Sequence, residues 1–402
     1  MSMSHRGCLS GLALAAARPH DAAMADAGTF SAQVGGNRLT LLSEGSERLE
    51  ALVALIDGAQ ESLRILYYIF LEDETGTRVR DALIRAAHRG VRASLLVDGF
   101  GSSKSASFFA PLIASGVAFC RFSPQWGRRY LLRNHQKLAM ADGERVLIGG
   151  FNVADEYFAP PEQDGWRDIG LLVEGPDVAP LAEYYDAVFQ WTSRRDRGIR
   201  ELRRVLQQHS VGNGPLRWLF GGPARRISPW ARAVRRDMVS ARCLDLIAAY
   251  FAPTPSILTR IAKVSRAGGR ARVITAARAE VPAATAAARS LYWYLLKRGV
   301  EIYEQRSARL HTKLVVIDDV VHIGSANFDM RSLFLNLEMM LRIEDAGFAA
   351  AMRRFVDREA AASERITPEA HRRERTLFNR LRWAFGYFLV AVADYRITRG
   401  LN

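Results

Sequence analysis

Two short segments of the sequence carry a histidine and a lysine two residues apart. RNHQKLAMAD contains His135 and Lys137, and RLHTKLVVID contains His311 and Lys313. Because alternate residues of a strand project to the same face, each histidine is expected beside its lysine. An imidazole can act as a nucleophile or as a general acid and base, and an ammonium group can stabilise a phosphate oxygen. The two pairs together predict a site for phosphodiester chemistry.

The residues that follow each pair also repeat. Asp142 and Asp318 complete the same HxKxxxxD spacing, and the sequences GGFN and GSAN then end at Asn152 and Asn327. The chain has only five lysines, and two of them occupy these segments, so chance does not explain the repeat. Both aspartates are candidate catalytic residues. Regular pleating directs their side chains away from the histidines, and we therefore expect them to act in support, from the turn.

Two histidines, one from each half of the chain, would perform two different chemical roles. One imidazole attacks phosphorus and forms a phosphohistidine, and the other protonates the departing oxygen. Cationic and amide groups would bind the non-bridging oxygens and stabilise the charge of the transition state. The candidate phosphate-binding residues are Lys137, Lys313, Asn152, Asn327 and Ser325. With this set of residues, no metal and no other cofactor is expected.

A nucleophilic histidine needs a partner that fixes its tautomer, usually a carboxylate on the other ring nitrogen. Asp168 in WRDIGLLVEG and Glu338 in LNLEMMLRIE each open an apolar strand after a motif. We expect Asp168 to support the first motif and Glu338 to support the second. The alternative for both acids is a surface charge at the end of a strand.

The elements that precede each motif also recur. A strand-like run, a helical pattern ending at Gly90 and a second strand precede the first motif, and the same order, with Gly268 and Gly269 at the helix end, precedes the second. This alternation predicts mixed α/β layers in two similar lobes, each with a largely parallel sheet. The predicted boundaries are a flexible leader 1–38, a first lobe 39–195, a linker 196–230, a second lobe 231–345 and C-terminal helices 346–402. A signal peptide or a start at Met24 is the alternative for the leader.

Composition restricts the class of protein. The chain has 402 residues, of which 49% are hydrophobic and 24% charged, as in an ordinary globular protein. Its three cysteines are widely spaced, which argues against a disulfide framework and a zinc site. The sequence has no run of 18 apolar residues, so no spanning helix is expected. The net charge of +14 predicts an anionic partner, either nucleic acid or an acidic membrane.

The C-terminal region contains the apolar run WAFGYFLVAVA at 383–393, after a cluster of arginines. A helix of this length would be about 16 Å long, which suits the membrane interface but does not cross the bilayer. The run therefore favours a membrane over nucleic acid as the partner. The alternative is a helix that packs on the core or on another subunit.

The duplicated motifs, with their trailing GGxN and GSxN, resemble the phospholipase D superfamily over residues 39–345. The segments YYIFLEDETG, WRDIGLLVEGP and GSANFDMRSLFLNLE are similar to its bacterial cardiolipin synthase branch, in the short form without N-terminal transmembrane helices. The resemblance implies an α/β fold of two similar α-β-α sandwich lobes, related by a pseudo-twofold axis with the active site at their interface, plus C-terminal helices. One departure is Glu280, in a segment where many members carry a serine or threonine followed by aspartate, which bears on the choice of acceptor.

The resemblance also implies an activity and a location. The expected reaction transfers a phosphatidyl group from a phosphatidylglycerol-type donor to an alcohol or phospholipid acceptor, with His135 as nucleophile and His311 as acid. The expected location is the bacterial cytoplasmic membrane, where the protein would bind anionic phospholipid peripherally. The alternatives are a phospholipase D, another phosphodiesterase or a nuclease that uses water, and a catalytically silent lipid-binding scaffold. The sequence leaves the donor, the acceptor and the oligomeric state open.

Overall fold

The structure is a computed structural model of the chain. The residues described are 30–123, 131–194, 196, 198–210, 214–224 and 227–393. The predicted leader up to residue 29, with Met24, and the last nine residues lie outside this part of the chain.

The described residues form strands and helices in alternation. The strands are β1 (Phe30–Val34), β2 (Asn37–Leu42), β3 (Ser62–Tyr67), β4 (Arg92–Asp98), β5 (Ala118–Phe122), β6 (Leu138–Ala141), β7 (Arg145–Gly149), β8 (Trp166–Arg167), β9 (Gly170–Glu174), β10 (Leu216–Gly221), β11 (Cys243–Ala248), β12 (Arg270–Ala276), β13 (Glu301–Gln305), β14 (Arg309–Leu310), β15 (Lys313–Ile317), β16 (Val320–Gly324), β17 (Glu338–Glu344) and β18 (Glu364–Ile366). The helices are α1 (Gly45–Asp57), α2 (Glu74–His88), α3 (Ala106–Ala114), α4 (Pro180–Ser193), α5 (Ile199–His209), α6 (Pro229–Asp237), α7 (Pro255–Arg266), α8 (Pro282–Leu296), α9 (Met330–Phe334), α10 (Ala346–Ala361), α11 (Pro368–Glu374) and α12 (Leu377–Tyr387). A π-helical segment, Phe388–Ala393, continues α12.

Two eight-stranded sheets repeat one topology. The first has the order β1-β2-β9-β7-β6-β3-β4-β5, and the second has the order β10-β17-β16-β15-β11-β12-β13-β18. The six strands from β9 to β5 correspond one by one to the six from β17 to β13. The predicted duplication into two similar α/β lobes is thereby confirmed.

The expectation of largely parallel sheets is wrong. Within the two eight-stranded sheets, only β3-β4-β5 and β11-β12-β13 run parallel among the described strands, and the other neighbours are antiparallel. The physical reason is the tight turns that join β6 to β7 and β15 to β16. A turn of two or three residues can only reverse the chain, whereas a parallel pair needs a long crossover.

Helices cover both faces of each sheet. The outer face of the first sheet packs against α1, α2 and α3, and that of the second packs against α6, α7 and α8. Between the two sheets lies a shared core, to which α4, α5 and α10 contribute together with the inner faces of both sheets. The two lobes therefore meet through a continuous apolar contact that fixes their relative position.

The boundaries of the lobes differ from those predicted. β1 and the start of β2 fall within the predicted leader, but they pair with each other and β2 pairs with β9. β10 falls within the predicted linker, although it pairs with β17, and β18 falls among the predicted C-terminal helices, although it pairs with β13. These short strands lie at or near sheet edges, where the sequence carries little periodic signal.

The two motif aspartates lie in the hairpin turns after β6 and β15. Asp142 and Asp318 both have positive φ, at 57° and 44°. The carboxylate of Asp142 accepts hydrogen bonds from the backbone N–H groups at the start of β3, including that of Ser62 at 2.9 Å. Asp318 accepts likewise from Cys243 at the start of β11, at 2.8 Å. The structure does not bring these aspartates to the histidines, because the length of β6 or β15 separates each from its lysine, and they serve instead to join neighbouring strands.

Candidate active site

His135 of the first lobe is held by an acid of the second lobe. Its Nδ1 lies 3.1 Å from Oε2 of Glu338, which is fully buried at the start of β17. The backbone reinforces the contact, because the N–H of His135 donates to the carbonyl of Leu337 at 2.9 Å. Since Nδ1 contacts the carboxylate, Nε2 is the ring nitrogen left for chemistry.

Two hydroxyl groups fix the Glu338 carboxylate. Ser325 donates to Oε2 at 2.5 Å, and Ser332, in α9, donates to Oε1 at 2.7 Å. The prediction that Ser325 binds phosphate does not match this contact, because its hydroxyl is used on the carboxylate and also accepts from the N–H of Met339. Ser332 is not among the residues predicted from the sequence, although it lies within the GSANFDMRS segment.

His311 of the second lobe is held by an acid of the first. Its Nδ1 lies 2.7 Å from Oδ2 of Asp168, which is also fully buried. The short strands β14 and β8 pair in parallel across the two lobes, and the N–H of His311 donates to the carbonyl of Arg167 at 2.8 Å. Tyr157 and Trp166, with ring centroids 5.1 Å and 5.2 Å from the imidazole, pack around it.

The predicted pairing of acids and histidines within each lobe is therefore wrong. Asp168 and Glu338 do contact the motif histidines, but each contacts the one from the opposite lobe. The reason is that each histidine lies just before its motif strand joins the sheet of its own lobe. The backbone at the histidine pairs instead with the segment of the opposite lobe that leads to the acid. Each acid thus contacts a histidine that is far away in sequence. A sequence pattern within one lobe cannot indicate such a contact.

Both lysines are buried beside the histidines. Lys137 donates from Nζ to the carbonyl of His135 at 2.6 Å, and Lys313 donates to the carbonyl of His311. Burial lowers the pKa of Lys137 to about 7 and that of Lys313 to about 8. A bound phosphate would favour the charged form of both lysines, so these side chains are suited to bind a phosphate group.

The two asparagines occupy equivalent loops after β7 and β16. Asn152 is buried, and its Oδ1 accepts from the N–H of Ile69 at 3.1 Å. Asn327 is also buried, and its Oδ1 has no hydrogen-bond partner. A buried polar atom without a partner is uncommon, so this oxygen can accept a hydrogen bond from a ligand, whereas a phosphate oxygen would take its hydrogen bond from Nδ2 of the same amide.

A glycine explains the difference between the GGFN and GSAN segments. A Cβ at Gly150 would lie 2.6 Å from Oδ2 of Asp168 and 2.9 Å from Cδ of Lys313. Both contacts are closer than real Cβ atoms approach, so a serine does not fit at this position. The second lobe has room for Ser325, and that residue binds the acid.

Burial also determines the charge of the two histidines. Burial lowers the pKa of His135 below its usual value, despite the opposing effect of Glu338. Burial lowers the pKa of His311 to about 3, again against the effect of its acid, Asp168. Both imidazoles are therefore neutral at pH 7 in the free protein, the form that a nucleophile requires.

Further side chains at the site carried only a weak signal in the sequence. The ring of Tyr68 lies 5.0 Å from that of His135, and the guanidinium of Arg309 lies 3.9 Å above the ring of Trp166. An arginine stands two residues before each histidine, in RNHQK and in RLHTK, so the repeat extends further than the HxK motif itself. Among the residues that the structure describes, no cluster of three His, Cys, Asp or Glu side chains could hold a metal ion.

Solved structures with the same fold include enzymes of phosphate chemistry. The phosphatidylserine synthase of Haemophilus influenzae Rd KW20 matches with a TM-score of 0.68 and 14% identity, over 93% of this chain and 96% of that one. The polyphosphate kinase of Porphyromonas gingivalis matches with a TM-score of 0.54 and 13% identity, over 84% and 55% of the two chains. At these identities the likeness shows the fold alone.

Sequence relatives identify the family. The family model described as cardiolipin synthase, PLD-like domain, matches residues 52–192 and 236–359, which include both motifs and both acids. Cardiolipin synthase B of Escherichia coli K12 is 30% identical over 352 residues, which cover 86% of this chain and 85% of the relative. Cardiolipin synthase of Geobacillus thermodenitrificans is 31% identical over 75% of this chain and 62% of the relative. The resemblance inferred from the motifs is thus confirmed, and the chain belongs to the cardiolipin synthase family of phospholipase D-like proteins.

Proposed function

We propose that the protein is a phosphatidyltransferase that makes cardiolipin, or a related phospholipid, from a phosphatidylglycerol-type donor. The observation that carries this proposal is the crossed pair of histidines. Each imidazole is held through Nδ1 by a buried acid of the opposite lobe, so that its Nε2 is left for a substrate. Two oriented imidazoles with two buried lysines match the needs of a two-step phosphoryl transfer.

In the first step, Nε2 of His135 attacks phosphorus and the bond to the leaving headgroup oxygen breaks. His311 gives that oxygen a proton, so the headgroup leaves as a neutral alcohol. The free protein holds His311 neutral, and the negative phosphate of a bound substrate raises the pKa of a nearby imidazole. His311 therefore takes up its proton when the substrate binds.

In the second step, an acceptor hydroxyl gives its proton to His311 and its oxygen bonds to phosphorus. The bond between phosphorus and His135 then breaks, and both side chains return to their starting state. Throughout, Lys137, Lys313 and Asn327 offer donors to the non-bridging oxygens. Water in place of the acceptor alcohol would give hydrolysis to phosphatidic acid.

We place the reaction at the surface of the bacterial cytoplasmic membrane, with the protein bound peripherally. None of the helices described is long and apolar enough to cross a bilayer. One face of α12 packs on α8, with Trp383 2% exposed, while the opposite face leaves Phe378 74% exposed and Phe385 63% exposed. Arg380 and Arg382 are exposed on the same helix. Apolar side chains beside arginines suit an anionic lipid interface.

The test is to incubate the purified protein with phosphatidylglycerol liposomes and to identify the lipid products by mass spectrometry. Cardiolipin and free glycerol are the expected products. Phosphatidic acid as the sole product would show a hydrolase instead, and no change in the lipid would overturn the proposed activity. A variant with His135→Ala controls for contaminating enzymes, since it lacks the nucleophile.

A further inference from the structure

We infer that Arg309 binds the phosphodiester group of the acceptor phospholipid, and that this second anion site favours transfer to a lipid over transfer to a simple alcohol. The inference rests on the proposed function. It assigns to the site a subsite for an anionic acceptor, in addition to the place where phosphorus reacts.

The first observation is the position of Arg309 beside the acid-base histidine. Its guanidinium lies 3.9 Å above the ring of Trp166, and the same ring lies 5.2 Å from that of His311. Trp166 stacks in turn on Tyr157, with ring centroids 5.9 Å apart. The imidazole of His311 and the guanidinium of Arg309 therefore both pack against Trp166, within one stack of aromatic rings.

The second observation is that the other contacts of Arg309 are loose. Its Nη1 lies 3.3 Å from Oε2 of Glu156 and 3.4 Å from Oδ2 of Asp164. Both acids are themselves exposed, and both contacts use the same nitrogen. Charge-assisted hydrogen bonds are normally shorter, so these pairs hold the side chain weakly and a phosphate can replace them.

The third observation is the contrast with the equivalent arginine of the first lobe. Arg133 also precedes its histidine by two residues, but only 4% of the residue is exposed and its guanidinium packs 4.3 Å from the ring of Phe100. The side chain of Arg309 is 25% exposed. Of the two, Arg309 is the one that an incoming headgroup can reach.

The chemistry of the acceptor completes the argument. In the proposed second step, the acceptor hydroxyl must lie at His311 in order to lose its proton there. In phosphatidylglycerol that hydroxyl is joined to a phosphodiester by a three-carbon glycerol unit. A cation that packs on the same Trp166 ring as His311 is therefore placed to meet the acceptor's own phosphate. Arginine suits this role because its guanidinium can donate two hydrogen bonds to one phosphate.

The experiment uses one reaction with two competing acceptors. Phosphatidylglycerol liposomes are supplied with ethanol, which has a hydroxyl but no phosphate, and the ratio of cardiolipin to phosphatidylethanol is measured. Arg309→Gln should lower this ratio by about tenfold or more, since it removes a charge-assisted contact from one acceptor only. Arg309→Lys should restore part of the ratio. Both products come from the same folded molecules, so a loss of stability does not change the ratio of cardiolipin to phosphatidylethanol.

Two matched variants separate this role from a structural one. Arg306→Gln removes an exposed arginine of the same segment, which pairs with Glu364, and should leave the ratio unchanged. Glu156→Gln removes an ion-pair partner of Arg309 and should keep the ratio or raise it. An unchanged ratio in Arg309→Gln, or an equal fall in Glu156→Gln, would overturn the subsite. If the wild-type protein forms neither product, the proposed function itself fails, and the subsite with it.

Discussion

Nδ1 of His135 and Oε2 of Glu338 lie 3.1 Å apart, although the two residues belong to different lobes. The second histidine repeats this relation with Asp168, at 2.7 Å. Each imidazole therefore depends on the other half of the chain for its tautomer and orientation. A change in one lobe should alter the chemistry performed by the histidine of the other.

Replacing an orienting acid by its amide tests this dependence. Glu338→Gln should lower kcat by up to about 10⁴-fold, the loss found when a carboxylate that fixes a catalytic histidine becomes an amide. Because Glu338 serves His135, the burst of phosphohistidine formation should be lost. With a donor whose leaving group needs no proton, such as phosphatidyl-p-nitrophenol, Asp168→Asn should instead preserve the burst and slow the decay of the intermediate, because His311 is then needed only to deprotonate the acceptor. Rapid-quench labelling with this donor, radioactive in its phosphatidyl group, distinguishes the two variants, and the opposite pattern would reverse the roles of the histidines.

The roles of the histidines have a direct test. With a donor whose leaving group needs no proton, such as phosphatidyl-p-nitrophenol, attack by His135 remains available in His311→Ala, but deprotonation of the acceptor is lost. Phosphatidyl label should accumulate on His135, to be located by peptide mass spectrometry under alkaline conditions. In His135→Ala no label should form. Label found on His311 in that variant would assign the nucleophile to the second lobe.

The low pKa values of the buried lysines predict a pH dependence. Lys137 and Lys313, with pKa values of about 7 and 8, are charged below those values and lose their protons as the pH rises. The value of kcat/KM should therefore fall between about pH 7 and 9. Bound phosphate favours the charged lysines, so the fall in kcat should lie at higher pH. A flat kcat/KM profile across this range, with the protein still folded by circular dichroism, would contradict the prediction.

The turn aspartates should affect stability rather than chemistry. Asp142→Asn weakens hydrogen bonds to the backbone at the start of β3 and should lower the free energy of unfolding by about 1–3 kcal/mol. Burial raises the pKa of Asp142, but the hydrogen bonds from Ser62, Glu61 and Gln60 outweigh it and hold this pKa below its usual value. The contribution is thus present at neutral pH and lost as the pH falls below about 4. Denaturant titration measures it, while kcat per folded molecule should change less than about threefold.

The exposed face of α12 can be altered without removing the helix. Phe378→Ser combined with Phe385→Ser should weaken co-sedimentation with anionic liposomes by about tenfold or more, because two large apolar groups no longer reach the interface. Ile113→Ser and Val239→Ser, at exposed apolar positions elsewhere, are matched controls that should bind as before. Deletion of residues 376–402 is a poorer test, because Trp383 and Gly386 pack inwards and their loss would uncover α8. Equal binding by the double variant would remove α12 from the membrane contact.

The sequence predicted the repeating features of this protein better than its contacts. The duplicated motifs led to the two lobes and to the family, because periodic patterns and identical spacings are recorded locally in the chain. The pairing of Asp168 and Glu338 with opposite histidines was predicted wrongly, since nothing local states which distant segment a strand will join. Ser332 was missed for a different reason: it lies close to Glu338 in sequence, but a serine in a short helix resembles many others until its hydroxyl is seen on that acid.

The crossed contacts have the geometry of a symmetric dimer contained in a single polypeptide. In a twofold homodimer, residue i of one subunit meets residue j of the other and the reverse contact is identical, because both subunits come from one gene. Here the two halves can mutate independently. Gly150 faces Asp168 where no side chain fits, whereas Ser325 binds Glu338. Because the halves are joined in one chain, the two related histidines can have different surroundings and different chemical roles. Two identical subunits would give both histidines the same surroundings.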